Sequence, residues 1–169
     1  MPMFQAVRSV CCQSDYEGLM SLLSDCVECM ANSDNVIRAG LTPKLRDVPN
    51  LVSNLTYSPA QPVKHQVHPT SWGSGSNTKL YDPPIPEFSI LAVSLAPGTA
   101  EVHGAIAGPS IAILTGGERI RVKYPGPHAG LQSLEINLGD VFFIGADAEV
   151  TFENVSQEKA VLYRAIVEA

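Results

Sequence analysis

From residue 88 onward the chain is a succession of short apolar or alternating runs, each closed by Gly, Pro, Asp or Asn. They read "FSILAVSL", "PSIAILTG", "ERIRVKY", "LQSLEINL", "DVFFIGA", "EVTFEN" and "AVLYRAIV". Alternation with a period of two is the mark of a strand with one buried face, and seven such runs at close spacing predict an antiparallel sandwich or barrel. The expected fold class is therefore mainly β, with the barrel occupying residues 80–169.

Upstream the texture differs. Residues 58–79, "SPAQPVKHQVHPTSWGSGSNTK", are rich in Pro, Ser and Gly and read as a loop or linker, with Trp72 pinning it to a domain by packing. Before it, Asp47 is placed to cap a helix through "VPNLVSNLTY", where Pro49 is tolerated in the first turn. Gly40 and Pro43 interrupt "VIRAGLTPKLR" and rule out a long regular element there. "CVECMAN" (26–32) reads as a strand followed by the polar turn "NSDN". In the atypical N-terminal segment 1–24, Ser14 and Glu17 form a capping box, and Leu19, Leu22 and Leu23 fall at helical spacing, which predicts a short helix over 15–24.

With 169 residues, 45% of them hydrophobic, the chain is long enough for one ordinary core or for a domain with a piece of another attached. A net charge of -6 argues against nucleic acid as a partner, because that affinity is built from clustered Lys and Arg. No apolar run is long enough to cross a bilayer and the N-terminus lacks a signal-type apolar stretch, so the expectation is a soluble cytoplasmic protein with no membrane partner. Cys11, Cys12, Cys26 and Cys29 raise the question of a zinc clamp. In a strand, however, residues three apart point to opposite faces, so the cysteines read as reduced thiols, buried or semi-buried. His65 and His68 form an H-x-x-H pair with no cysteine or carboxylate near them in sequence, and read as part of a solvated loop.

The segments around "PSIAILTGG" and "LGDVFFIGA" resemble the two motifs of a cupin, a small jelly-roll barrel. Metal-holding cupins present two His and a Glu from the first motif and a His from the second. Here His103 occupies the first position, but the others fall on Ala105, Pro109 and Val150. One imidazole does not hold a divalent ion, so the barrel is expected to be filled by side chains, with His103 at its rim or surface.

The string "DCVECMANSDNVIRAGLTPKLRDVPNLVSNLTY" resembles the signature region of the type I mannose-6-phosphate isomerases, which continue through a "YDPPIPEF"-like segment into a C-terminal cupin. The resemblance implies that residues 25–57 are the C-terminal part of a catalytic cupin domain carrying one or two short helices. It also implies a zinc-dependent aldose-ketose isomerase acting on a sugar phosphate. Arg38 matches the family's active-site arginine, suited to a developing enediolate charge because a guanidinium stays protonated and offers a rigid fork of donors. By family position Glu28 faces the same pocket, where a carboxylate moves protons or orients the arginine. Lys44, towards the sugar phosphate, and Asp34 are further substrate-binding candidates.

The departure from the family lies before about Asp25. The family's zinc is held by three side chains of an earlier region and by a His nine residues before the position of Glu28, and that place is Leu19, which has no donor atom. The resemblance would also run a strand where the spacing predicts the helix 15–24. The expectations are a chain with no metal ligands of its own, inactive alone, and self-associating through apolar surface at Val27, Met30, Val36 and Ile37. A non-catalytic cupin module that binds a protein or sugar ligand is the alternative.

Overall fold

The computed structural model describes residues 27–31, 37, 43, 45–54, 66–126 and 130–167. Ten strands and one helix lie among them. The helix, α1 (Val48–Asn54), starts where Asp47 predicts: the Asn50 amide donates to Asp47 Oδ1 at 3.3 Å and the Asn50 side-chain amide to Oδ2 at 2.6 Å. No residue of α1 is buried. The predicted helix at 15–24, the "NSDN" turn and Gly40 lie outside the described residues. Residues 27–31 hold a single bridge at Val27 rather than a strand ladder, which corrects the strand reading of 26–32.

All seven apolar runs are strands. In chain order they are β3 (Ser89–Leu95), β5 (Ser110–Gly116), β6 (Arg119–Pro125), β7 (Leu131–Asn137), β8 (Val141–Ile144), β9 (Val150–Asn154) and β10 (Ala160–Ile166). Three more strands join them: β1 (Thr70–Ser71), β2 (Thr78–Tyr81) and β4 (Ala100–His103). The segment read as a loop over 58–79 thus contains β1 and the start of β2, a hairpin that extends the barrel at the edge of β3. Its strands are short, and the parts of them within 58–79 are built of Thr, Ser and Lys, which is why the sequence shows no periodicity there.

The sheet orders are β1-β2-β3-β10-β5-β8 and β4-β9-β6-β7, every pairing antiparallel. From β3 to β10 the strands switch sheets at every step but the β6–β7 hairpin, the order of two interlocked Greek keys that makes a jelly roll. The fold is a cupin-type jelly roll, as the motifs imply. Between the sheets lies one packed core, with Leu95, Leu114, Ile120, Phe152 and Leu162 all at 1% exposure or less. The tight link from β5 to β6 turns on Gly117 at φ 82°, where a side chain would meet the backbone of Ala160.

A second, smaller cluster lies on the outer face of the six-stranded sheet. There Phe88 and Ile90 are buried beneath Cys29, Ala31, Tyr81, Ile85, Tyr163 and Ala165. Residues 27–31 therefore lie against the barrel. Of the apolar side chains expected to stand bare, Val27 and Ile37 are half-buried and Met30 is exposed, while Val36 lies outside the described residues.

Candidate functional site

The densest concentration of polar chemistry is inside the barrel, on a strand that sequence periodicity does not reveal. β4 buries Glu101 and His103 and turns Ala100 and Val102 outward, the reverse of a normal pattern. Its inward side chains meet Thr78 of β2 and Arg164 of β10. His103 is fully buried, which corrects its placement at the rim or surface.

The hydrogen bonds form a directional chain. Arg164 has donors only, so its Nη1, 3.2 Å from His103 Nδ1, fixes that nitrogen as an acceptor. Nε2 then carries the proton and donates to Thr78 Oγ1 at 3.0 Å, and the Thr78 hydroxyl donates to Glu101 Oε1 at 3.2 Å. Asn77 donates to Glu101 Oε2 at 2.8 Å, and Arg164 Nε donates to Ser110 Oγ at 2.9 Å. A guanidinium and a carboxylate are thus joined through a neutral imidazole and a hydroxyl. Burial, reinforced by the Arg164 charge, pushes the His103 imidazole down to about 3. Burial also brings Arg164 down to about 10, leaving it protonated at neutral pH.

The β1–β2 hairpin closes over this chain. Trp72 lies edge-on to His103 with ring centroids 4.7 Å apart, and Phe152 meets the imidazole at 4.9 Å. Trp72 does pin the segment to the barrel, as the sequence suggests. Gly75 backs onto the Glu101 carboxylate so closely that an added Cβ would overlap it.

This interior does not fit a metal ion. Both His103 nitrogens are engaged, and one faces a guanidinium that would repel a cation. Ala105 and Pro109 are exposed, Val150 packs in the apolar core, and no group of three or more metal-ligating side chains occurs among the described residues.

Of the residues that the family resemblance singles out, Glu28 is exposed at the lip of a groove of about 200 Å³ between Val27–Cys29 and the outer face of the six-stranded sheet. Arg38, Lys44 and Asp34 lie outside the described residues, as do Cys11, Cys12, Cys26, His65 and Leu19. Glu28 is thus the one of the four site candidates that lies among the described residues. Cys29 is a free, half-buried thiol whose pKa burial pushes up, the behaviour expected of an unreactive packing residue.

Residues 79–122 match the family described as phosphomannose isomerase type I C-terminal. Over 146 residues the chain is 47% identical to the mannose-6-phosphate isomerase of Cryptococcus neoformans var. neoformans serotype D. The chain belongs to the type I phosphomannose isomerases. It is a partial member, for that alignment takes in 86% of this chain and 32% of the Cryptococcus protein. The mannose-6-phosphate isomerase of Candida glabrata is 44% identical over 155 residues, 88% of this chain and 34% of its own length. The chain thus spans about a third of the length of the curated isomerases it matches. Among solved structures, the oxalate decarboxylase of Lactobacillus farciminis is similar over 60% of this chain and 31% of its own, at 16% identity and a TM-score of 0.49. The jelly roll of this isomerase family member rests on its own strand order. No helix among its described residues is long and apolar enough to cross a membrane.

Proposed function

We propose that this chain is the C-terminal portion of a cytoplasmic mannose-6-phosphate isomerase, which interconverts mannose 6-phosphate and fructose 6-phosphate and so serves GDP-mannose supply. The observation that carries this reading is the 47% identity to a whole isomerase across 86% of the chain. In that reaction a proton moves between adjacent carbons through an enediolate. Arg38 would stand beside the developing oxyanion as a fixed cation, and Glu28 would move protons or orient the guanidinium. Lys44 and Asp34 would hold the phosphate and hydroxyls of the substrate.

Zinc belongs to the family's reaction, where it would polarise a substrate oxygen. Neither of two positions where the motifs would place a ligand suits it: Leu19 carries no donor, and His103 is committed inside the barrel. The chain alone is therefore proposed to be inactive. A coupled assay of the purified 169-residue chain with mannose 6-phosphate and added zinc tests this, with Arg38→Ala as the control. No turnover is expected. Turnover abolished by Arg38→Ala would show that ligands come from other residues and would end the partial-chain reading. The alternative, a cupin module that binds without turnover, is favoured by the same Leu19 substitution. Saturable binding of a sugar or protein that is indifferent to Arg38→Ala would support it.

A further inference from the structure

The two outer faces of the jelly roll differ in kind. On the four-stranded sheet, Arg119, Arg121 and Lys123 point outward and pair with Glu135 and Glu153 at 3.0 to 3.4 Å. The hydrogen bond and charge of Lys123, with Arg121 adding to them, hold the Glu153 carboxyl below its usual range. The charges at the centre of that face are thus paired with one another.

On the six-stranded sheet the outward residues form an apolar row in register: Ile90 lies opposite Ala165, Ala165 opposite Ile111, and Ile111 opposite Phe143. Exposure climbs along the row, from 2% at Ile90 to 51% at Ile111 and 72% at Phe143. The covered end lies beneath Cys29 and Ala31, and the bare end continues to Val141 on β8, the edge strand. One continuous surface is thus half covered by residues 27–31 and half open, with the groove beside Glu28 at the boundary. Contiguous apolar surface of this kind marks a contact site.

We propose that the bare half of this face, centred on Ile111, Val141 and Phe143, is the docking surface for the part of a type I phosphomannose isomerase that this chain does not span. Two observations choose that occupant. The chain covers 32% and 34% of two full isomerases and matches the family's C-terminal region, so most of a full relative precedes the matched part. Residues 27–31, the described segment nearest to that preceding part in sequence, already lie on this face. Chain direction therefore delivers the rest of the protein beside the open residues. The inference requires family membership alone and stands whether or not this chain is catalytic.

The test compares the isolated chain with a full-length chimera in which its residues 27–167 replace the matching region of the Cryptococcus isomerase. Hydroxyl-radical labelling read by mass spectrometry reports on Phe143 and Met30. Phe143 is expected to label several-fold more slowly in the chimera. Phe143→Asp should lower the melting temperature of the chimera and leave that of the isolated chain unchanged. Equal labelling in the two proteins overturns the proposal. So does an isolated chain that dimerises and loses its dimer with Phe143→Asp while the chimera labels at the isolated chain's rate, for that assigns the face to a second copy. Should the chimera fail to fold, labelling of the intact Cryptococcus isomerase at the aligned positions decides.

Discussion

At the scale of single residues, the buried imidazole ties the barrel to pH. His103 is held neutral, its pKa brought from 6.5 down to about 3. Between those values the unfolded chain binds a proton that the folded chain does not. The stability associated with a neutral His103 is thus intact above about pH 6.5 and is lost as the pH falls, by up to about 1.4 kcal/mol per unit. Melting temperature measured from pH 7 down to pH 4 should fall more steeply for the wild-type chain than for His103→Gln. Parallel curves would mean that the imidazole titrates normally and lies open to water. The other groups facing it are the Arg164 guanidinium and, through Thr78, the Glu101 carboxylate, neither of which is removed by the substitution. None of this was legible in the sequence. Arg164 sits within "AVLYRAIV", a run that announces a strand but not the partners of its one charge. Its partners come from strands 61 and 54 residues away. Of the family's site candidates, only Glu28 is described, and its place beside the barrel's outer face follows from tertiary packing rather than from local pattern.

At the scale of elements, β4 and the β1–β2 hairpin show what sequence patterning misses. Seven strands announce themselves because their inward residues are Leu, Ile, Val and Phe, and the Asp47 cap is equally readable because a carboxylate three residues before an unpaired amide is a local device. β4 inverts the rule: its inward residues are Glu101 and His103, satisfied by hydrogen bonds with Asn77, β2 and β10. The hairpin is hidden differently, since it is held by Trp72, Asn77 and Thr78 rather than by an apolar face. Its closeness to Glu101 gives a sharp test. Gly75→Ala forces a methyl into the carboxylate and should destabilise the hairpin by about 1–3 kcal/mol, the usual cost of overpacking. Trp72 is the only tryptophan in the chain, so the change is readable as a red shift of its emission. An unshifted spectrum and unchanged melting would show that the hairpin does not bear on Glu101.

At the scale of the whole molecule, the antiparallel jelly roll was legible as a class, because the number and spacing of runs allow little else. The sheet order was not, since nothing local tells β10 to lie between β3 and β5. That order joins residues far apart in sequence, with Ile166 opposite both Ser89 and Ser110. Closing such long loops before any pairing rewards them makes folding slow, on the order of milliseconds to seconds. Stopped-flow recovery of Trp72 emission should fall in that range, whereas submillisecond recovery would mean that the hairpin closes on a barrel not yet built. β10 is the last strand of the described chain and the keystone of the larger sheet. Until it arrives β3 and β5 are two unsatisfied edges, so a growing polypeptide carries an unfinished arch until β10 is made and becomes a barrel only then.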